Sequence, residues 1–226
     1  MTNDFIRAVA SIFLITLCCQ CTLYAQDDSN KINSNLGMSM SLPVSTTAKY
    51  AGIGWGATGG VGYNFSQHHA IIGEFLWNQL YATNYAMAPI NAATSSGGAD
   101  GQSDVYAVTG NYRYEVLGKK FGTYFIGGAG WYYRYNHLSH PVTVPAGTGC
   151  TPAVLWWGGK CSSGPVTSDQ KLGSYGSNVF GGNVGVGFTV KVGEPSYRLY
   201  VESRYHYAPT QNVSTQLVVV TVGIRY

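Results

Sequence analysis

The sequence predicts an all-β fold, an eight-stranded antiparallel transmembrane β-barrel with short periplasmic turns and long extracellular loops. Three observations carry that expectation. The 226-residue chain opens on an export-type segment. Charged residues are only 10% of the chain, against about 25% in soluble domains, yet beyond the opening segment no apolar run is long enough for a membrane helix. Eight stretches of period-two alternation follow, joined by connections that are in turn short and long.

The opening segment, MTNDFIRAVASIFLITLCCQCTLYAQ, has a short polar head with Arg7, an apolar run from Ala8 to Cys19, and Ala25 just before QDDSNK. This is the architecture of a secretory signal peptide, too short and wrongly flanked to remain as a spanning helix. Residues 1–25 are expected to be the signal peptide, 26–32 a short N-terminal segment and 33–226 the barrel domain. Cys18, Cys19 and Cys21 raise a lipoprotein signal as the rival. Leu17, Cys18 and Gln20 precede them, where lipid attachment resembles a pattern with a small residue.

Strands are expected near residues 33–44, 52–65, 70–83, 104–116, 121–136, 175–191, 197–207 and 215–226. The first alternates weakly, in NLGMSMSLPV. SQHH, LGKK and VGEPS form short turns, whereas residues 84–103 and 137–174 are long connections rich in Gly, Ser, Thr and Ala. Short turns at one end and long loops at the other are the pattern of a bacterial outer-membrane barrel.

The strand faces and their aromatics choose between a membrane barrel and a soluble one. In the last strand Val218, Val220, Val222, Ile224 and Tyr226 share one face, opposite Leu217, Val219, Thr221, Gly223 and Arg225. In the seventh, Tyr197, Leu199, Val201, Tyr205 and Tyr207 oppose Arg198, Tyr200, Glu202, Arg204 and His206. Tyr63, Phe65, Phe121, Tyr197 and Tyr226 gather beside the short turns, and Trp77, Tyr81, Trp131, Tyr133, Tyr135, Tyr205 and Tyr207 toward the long loops. Two aromatic belts around an aliphatic band match a bilayer with its two interfaces.

With the aromatic face toward lipid, Glu74, Arg113, Glu115, Arg134, Lys191, Arg198, Glu202, Arg204 and Arg225 take inward positions and form a lumen charge network. An Arg or Lys facing lipid at mid-depth would cost about 2–4 kcal/mol, whereas inside it can pair with a glutamate. In GWGATGGVGYNF the inward Gly54, Gly56, Gly60 and Gly62 are expected to make room for large Arg and Tyr side chains from other strands. Eight strands enclose a space that side chains nearly fill. The formal charge of +3 is too small and too scattered for nucleic-acid binding.

Outside the opening segment the cysteines are Cys150 and Cys161, in CTPAVLWWGGKC. An even pair in an exported chain reads as one disulfide; without a second pair or a His cluster it does not complete a zinc shell. A ring of this size removes about 3 kcal/mol of disorder from the unfolded chain. It would restrain Trp156 and Trp157, which pack on the loop or the lipid interface, or form a surface contact site.

These features resemble the small outer-membrane β-barrel family exemplified by the OmpA transmembrane domain and OmpX. The carrying residues are the signal peptide, GWGATGGVGYNFSQHHAIIGEFLW from Gly54 to Trp77, and the ending QLVVVTVGIRY. The resemblance implies that Val218, Val220, Val222, Ile224 and Tyr226 serve as the signal read by barrel-assembly machinery. OmpA continues into a peptidoglycan-binding domain; this chain stops at its last strand, so wall tethering does not carry over.

The expected function is a structural and surface-interaction role without catalysis or cofactor, as a monomer in outer-membrane lipid, with an extracellular ligand taken by the loops. The alternatives are a narrow pore for small solutes and a lipid A-modifying enzyme. For the last, His137 and Ser139 in YNHLSH resemble the His-x-Ser of the outer-membrane lipid A deacylase family, as base and nucleophile, but the following Asn of that family is missing. SQHH is expected to be a solvated turn rather than a metal site.

Overall fold

Period-two alternation places every second side chain on the same face of a strand, and the chain builds eight such strands. They are β1 (Ile32–Pro43), β2 (Gly54–Asn64), β3 (His69–Tyr81), β4 (Asp100–Leu117), β5 (Phe121–Val144), β6 (Val166–Lys191), β7 (Arg198–Ala208) and β8 (Thr215–Arg225). The computed structural model describes residues 31–93, 98–118, 120–144, 166–192 and 197–226. Each strand pairs antiparallel with the next, and β8 returns to β1, from Asn35↔Arg225 to Pro43↔Leu217, to close a barrel. The weakly alternating first strand is thus paired along both edges.

Two of the expected loops hold regular structure. Within residues 84–103, helix α2 (Asn84–Ala93) precedes a β4 that begins at Asp100; a four-residue helix, α1 (Thr47–Tyr50), lies in the connection between β1 and β2. Thr83 caps α2, its Oγ1 accepting the Ala86 N–H at 3.3 Å, which satisfies one of the orphan donors of the first turn. Tyr85 then meets Tyr50 edge-on with centroids 5.9 Å apart, and the two short helices sit together over one end of the barrel. Residues 137–174 differ more: β5 continues to Val144 and β6 starts at Val166. The Gly, Ser and Thr content of this stretch reads as loop because no apolar alternation is demanded there, yet β5 and β6 pair with each other as far as Val144↔Val166.

β5 and β6, with 24 and 26 residues, are about twice as long as the 11-residue β7 and β8. Some 9–11 tilted residues suffice to cross a bilayer. β7 accompanies β6 only as far as Gly182↔Tyr207, and β4 accompanies β5 as far as Asp100↔Ser139. The hairpin therefore projects beyond the closed barrel. Among the described residues, no strand lies along the second edge of β6 over residues 166–181.

The outer wall is apolar. Met38, Val108, Phe125, Phe180, Val184 and Phe188 are all more than half exposed, an arrangement that water disfavours and hydrocarbon accepts. Tyr63, Phe65, Phe121, Tyr197 and Tyr226 are exposed at the short-turn end, and Tyr81, Tyr205 and Tyr207 at the other. On β8, Val222 and Ile224 share this outer wall, with Val218 and Val220 half-buried on the same side.

Glycines set the interior spacing, in a distribution unlike the expected one. A Cβ at Gly56 would collide with the Trp77 carbonyl and Asn78, and one at Gly60 would lie 2.6 Å from Asn35 Oδ1. The inward β2 glycines thus admit the backbone of β3 and neighbouring asparagines, not Arg and Tyr. Space for the large side chains comes from Gly37, Gly185, Gly187 and Gly223, on β1, β6 and β8. A Cβ at Gly223 would stand 2.7 Å from Tyr200 Cε1, one at Gly185 2.9 Å from Arg204 Cβ, and one at Gly187 would strike the Tyr124 ring. Gly187→Ala is expected to destabilise the barrel by about 1–3 kcal/mol through overpacking. Gly110→Ala, whose Cβ meets nothing within 4 Å, serves as the neutral control, and urea unfolding in lipid vesicles compares the two.

Candidate functional site

Inward positions gather the buried charges into one network. Arg204 lies between two glutamates, with Nη1 2.6 Å from Glu74 Oε1 and Nη2 2.5 Å from Glu202 Oε1. All three side chains are almost fully buried. Asn35 Nδ2 donates to Glu74 Oε2 at 3.0 Å, and Tyr124 Oη donates to Glu202 Oε2 at 2.9 Å. Toward the short turns, Glu115 pairs with Arg113 Nε at 3.3 Å and Arg225 Nη1 at 3.4 Å, and accepts from Thr189 Oγ1 at 3.2 Å. The Arg225 guanidinium lies over the rings of Tyr124 and Tyr200, 4.5 and 5.2 Å from their centroids, as a desolvated cation–π contact. Three glutamates face three arginines. Within this network the charges balance, which is what lets these groups leave water.

Other sequence-predicted residues lie at the two rims of the barrel. Lys191 and Arg198 are opposite one another at the short-turn rim, where Arg198 Nη1 donates to Thr189 Oγ1 at 3.4 Å. Arg134 lies at the other mouth, its Nη1 donating to Val213 O at 3.0 Å and Thr215 Oγ1 at 3.1 Å. Between Arg134 and the ion pairs an apolar layer of Leu76, Leu80, Val105, Leu217 and Val219 packs with Tyr132 across the interior. Tyr132 Oη shares a hydrogen bond of 2.9 Å with the buried His206 Nδ1. This layer, and the roles of Asn35, Tyr124 and Tyr200, escape a charge-based reading. The signal that could have found them is parity, since each has the same alternation phase as the inward charges of its strand or barrel level.

On the outer wall His137 and Ser139 share a face of β5, and the His137 ring tilts against Tyr135 at 6.2 Å. Neither is hydrogen-bonded to a carboxylate among the described residues. In the first short turn, His68 Nδ1 contacts Glu115 O at 2.8 Å and His69 Nδ1 contacts Tyr112 Oη; no group of metal-ligating side chains is found among the described residues. Cys150, Cys161, Trp156 and Trp157 lie outside the described residues.

The network makes a directional prediction. Arg204→Met should destabilise the barrel more than Glu74→Gln, because it strands two buried carboxylates instead of leaving Arg204 with Glu202. Losses on the order of 3–5 kcal/mol are expected for an uncompensated buried charge. Urea unfolding followed by tryptophan fluorescence ranks the variants, and adding Glu74→Gln to Arg204→Met should recover part of the loss.

The family model for the outer membrane protein beta-barrel domain matches residues 11–226. Similar solved structures include Ail, the attachment invasion locus protein of Yersinia pestis, in complex with the heparin analogue sucrose octasulfate: 14% identity, 86% of this chain and 96% of that one, TM-score 0.45. Neisserial surface protein A is 14% identical over 88% of this chain and 97% of its own, with TM-score 0.46. The N-terminal β-barrel domain of Pseudomonas aeruginosa OprF is 8% identical over 88% and 100%, with TM-score 0.41. No curated protein sequence matches the chain. Matched over nearly its whole length, and closed as eight antiparallel strands with an apolar outer wall, the chain belongs to the outer membrane protein β-barrel domain family and resides in the bacterial outer membrane.

Proposed function

We propose that this barrel is a structural and surface-interaction protein, and that the working part is the projecting β5–β6 hairpin. The observation that carries the reading is the length of β5 and β6 beyond their neighbours. In this family short turns face the periplasm and long connections face outward, so the projection stands on the cell exterior. An unpaired strand edge is a template for pairing with an extended segment of another protein. Leu172 and Tyr175 are exposed along β6, and residues 137–174 hold few charges, which favours recognition by edge and aromatic contact over recognition by charge. We propose the same use for Trp156 and Trp157, and for a disulfide between Cys150 and Cys161, which the sequence places between β5 and β6, since Trp is over-represented among interface anchors.

Neither alternative draws comparable support. An ion-pair layer and an apolar layer fill the lumen in succession, which opposes a solute path. For lipid A modification, Asp100 is the cross-strand neighbour of Ser139, but its Oδ1 accepts from the Gly101 N–H, and among the described residues no hydrogen bond joins it to His137 to orient the ring as base.

The test is adhesion of cells that export the protein to protein-coated surfaces and epithelial monolayers. Replacing residues 140–170 by a short Asn-Gly turn should leave the barrel folded, read as a mobility difference between boiled and unboiled samples on a detergent gel, while reducing adhesion to that of cells lacking the protein. Trp156→Ala with Trp157→Ala should produce a partial loss. Undiminished adhesion by the folded, shortened barrel would refute the assignment.

A further inference from the structure

Arg134 differs from the buried arginines below it. Arg113, Arg204 and Arg225 each pair with a glutamate. Arg134 has no carboxylate within ion-pair distance among the described residues, and its two hydrogen bonds run from one nitrogen, Nη1, to the neutral acceptors Val213 O and Thr215 Oγ1. A guanidinium carries five donors, and the buried Nε is without a partner in the structure.

The same side chain lines a cavity of about 290 Å³ at the outward mouth of the barrel. Its walls are mainly apolar, with Leu80, Met87, Ile90 and Leu138 among them. The helices α1 and α2 border it through Thr47, Tyr50, Ala86 and Met87. Hydrogen bonds fix this border in place: Thr83 N–H donates to Tyr50 O at 3.1 Å, Gly52 N–H to Tyr81 O at 2.7 Å and Thr47 Oγ1 to Ser214 O at 2.8 Å. The cavity is therefore built by secondary structure, as preformed ligand sites are. The apolar layer below, including Leu76, Leu217 and Val219, separates it from the glutamates of the network.

We infer that this cavity binds a small anionic amphiphile, with a carboxylate head on the Arg134 guanidinium and a short hydrocarbon tail against Leu80, Met87 and Leu138. Charge selects the head, because an unpaired guanidinium in an apolar wall takes an anion through charge-assisted hydrogen bonds. Volume selects the tail. At roughly 30 Å³ for each water-sized volume, the space suits on the order of ten non-hydrogen atoms, a medium-chain carboxylate rather than a full membrane lipid. The site is distinct from the projecting hairpin edge proposed for adhesion, and the two can fail separately.

The methionines supply the test. Met87 lines the cavity, whereas Met38 and Met40 are exposed on the lipid-facing wall. With [13C-methyl]methionine in the full chain, refolded into phosphatidylcholine nanodiscs, octanoate is expected to shift the Met87 resonance saturably. Partitioning into the lipid would move Met38 and Met40 instead. Arg134→Gln should raise the half-saturating octanoate concentration at least tenfold, with Arg134→Lys intermediate; octan-1-ol and inorganic phosphate, each carrying half of the ligand, should both bind more weakly than octanoate. Half-saturation unchanged by Arg134→Gln, or a Met87 shift that follows Met38 and Met40 without saturating, would overturn the proposal. If Arg134→Gln fails to give the heat-modifiable folded band, the wild-type ligands decide: octan-1-ol or phosphate matching octanoate overturns it equally.

Discussion

A backbone in hydrocarbon has no water to bond to, so every N–H and C=O of the spanning segments must find a partner within the protein. The return of β8 to β1, from Asn35↔Arg225 to Pro43↔Leu217, meets that requirement, and much else follows from it. Closure divides the side chains of each strand between lipid and lumen, with no third environment. Polar groups then have one place to go. Glu74, Arg113, Glu115, Glu202, Arg204 and Arg225 are buried inside the barrel while Met38, Phe125, Phe180 and Phe188 face outward.

Confinement forces compensation. A narrow barrel cannot hydrate six ionised side chains, so their stability depends on mutual pairing and on neutral donors such as Asn35, Tyr124 and Thr189. The same narrowness explains the interior glycines. Gly37 and Gly223 are cross-strand partners, and together they leave the volume that Tyr200 occupies between them and Arg225. Ion pairs and glycines are two parts of one packing solution, in which a bulky inward residue on one strand requires an absent side chain on another.

Legibility in the sequence follows the same physics. Inside the bilayer the alternation is enforced by solvent on both faces, so the strands, their inward faces and the two aromatic belts could be read from parity. Which inward residues touch could not, because the stagger between strands decides it: Glu74 and Arg204 are 130 positions apart and nothing local joins them. Beyond the bilayer the enforcement ends. The upper parts of β5 and β6 keep their hydrogen bonds, but their Gly, Ser and Thr residues report no preferred face, and the stretch reads as loop. Helix α2 was hidden for a related reason, since its burial is slight, with Met87 its one buried residue, and Pro89 interrupts its pattern.

The outward end is therefore where the constraint relaxes and where the chain has latitude. Lumen residues at mid-depth are fixed by pairing, so changing one of them unsettles several. Arg134 sits above that level, separated from the glutamates by Leu76, Leu80, Leu217 and Val219, and its charge is not needed to balance a carboxylate. A cation kept where the structure does not require one costs stability, and helices α1 and α2 roof the same spot although barrel closure has no need of them. Their coincidence around one cavity, like the projection of β5 and β6 past their neighbours, follows from nothing the bilayer demands of the fold, and both are features that the proposed contacts at the exterior would account for.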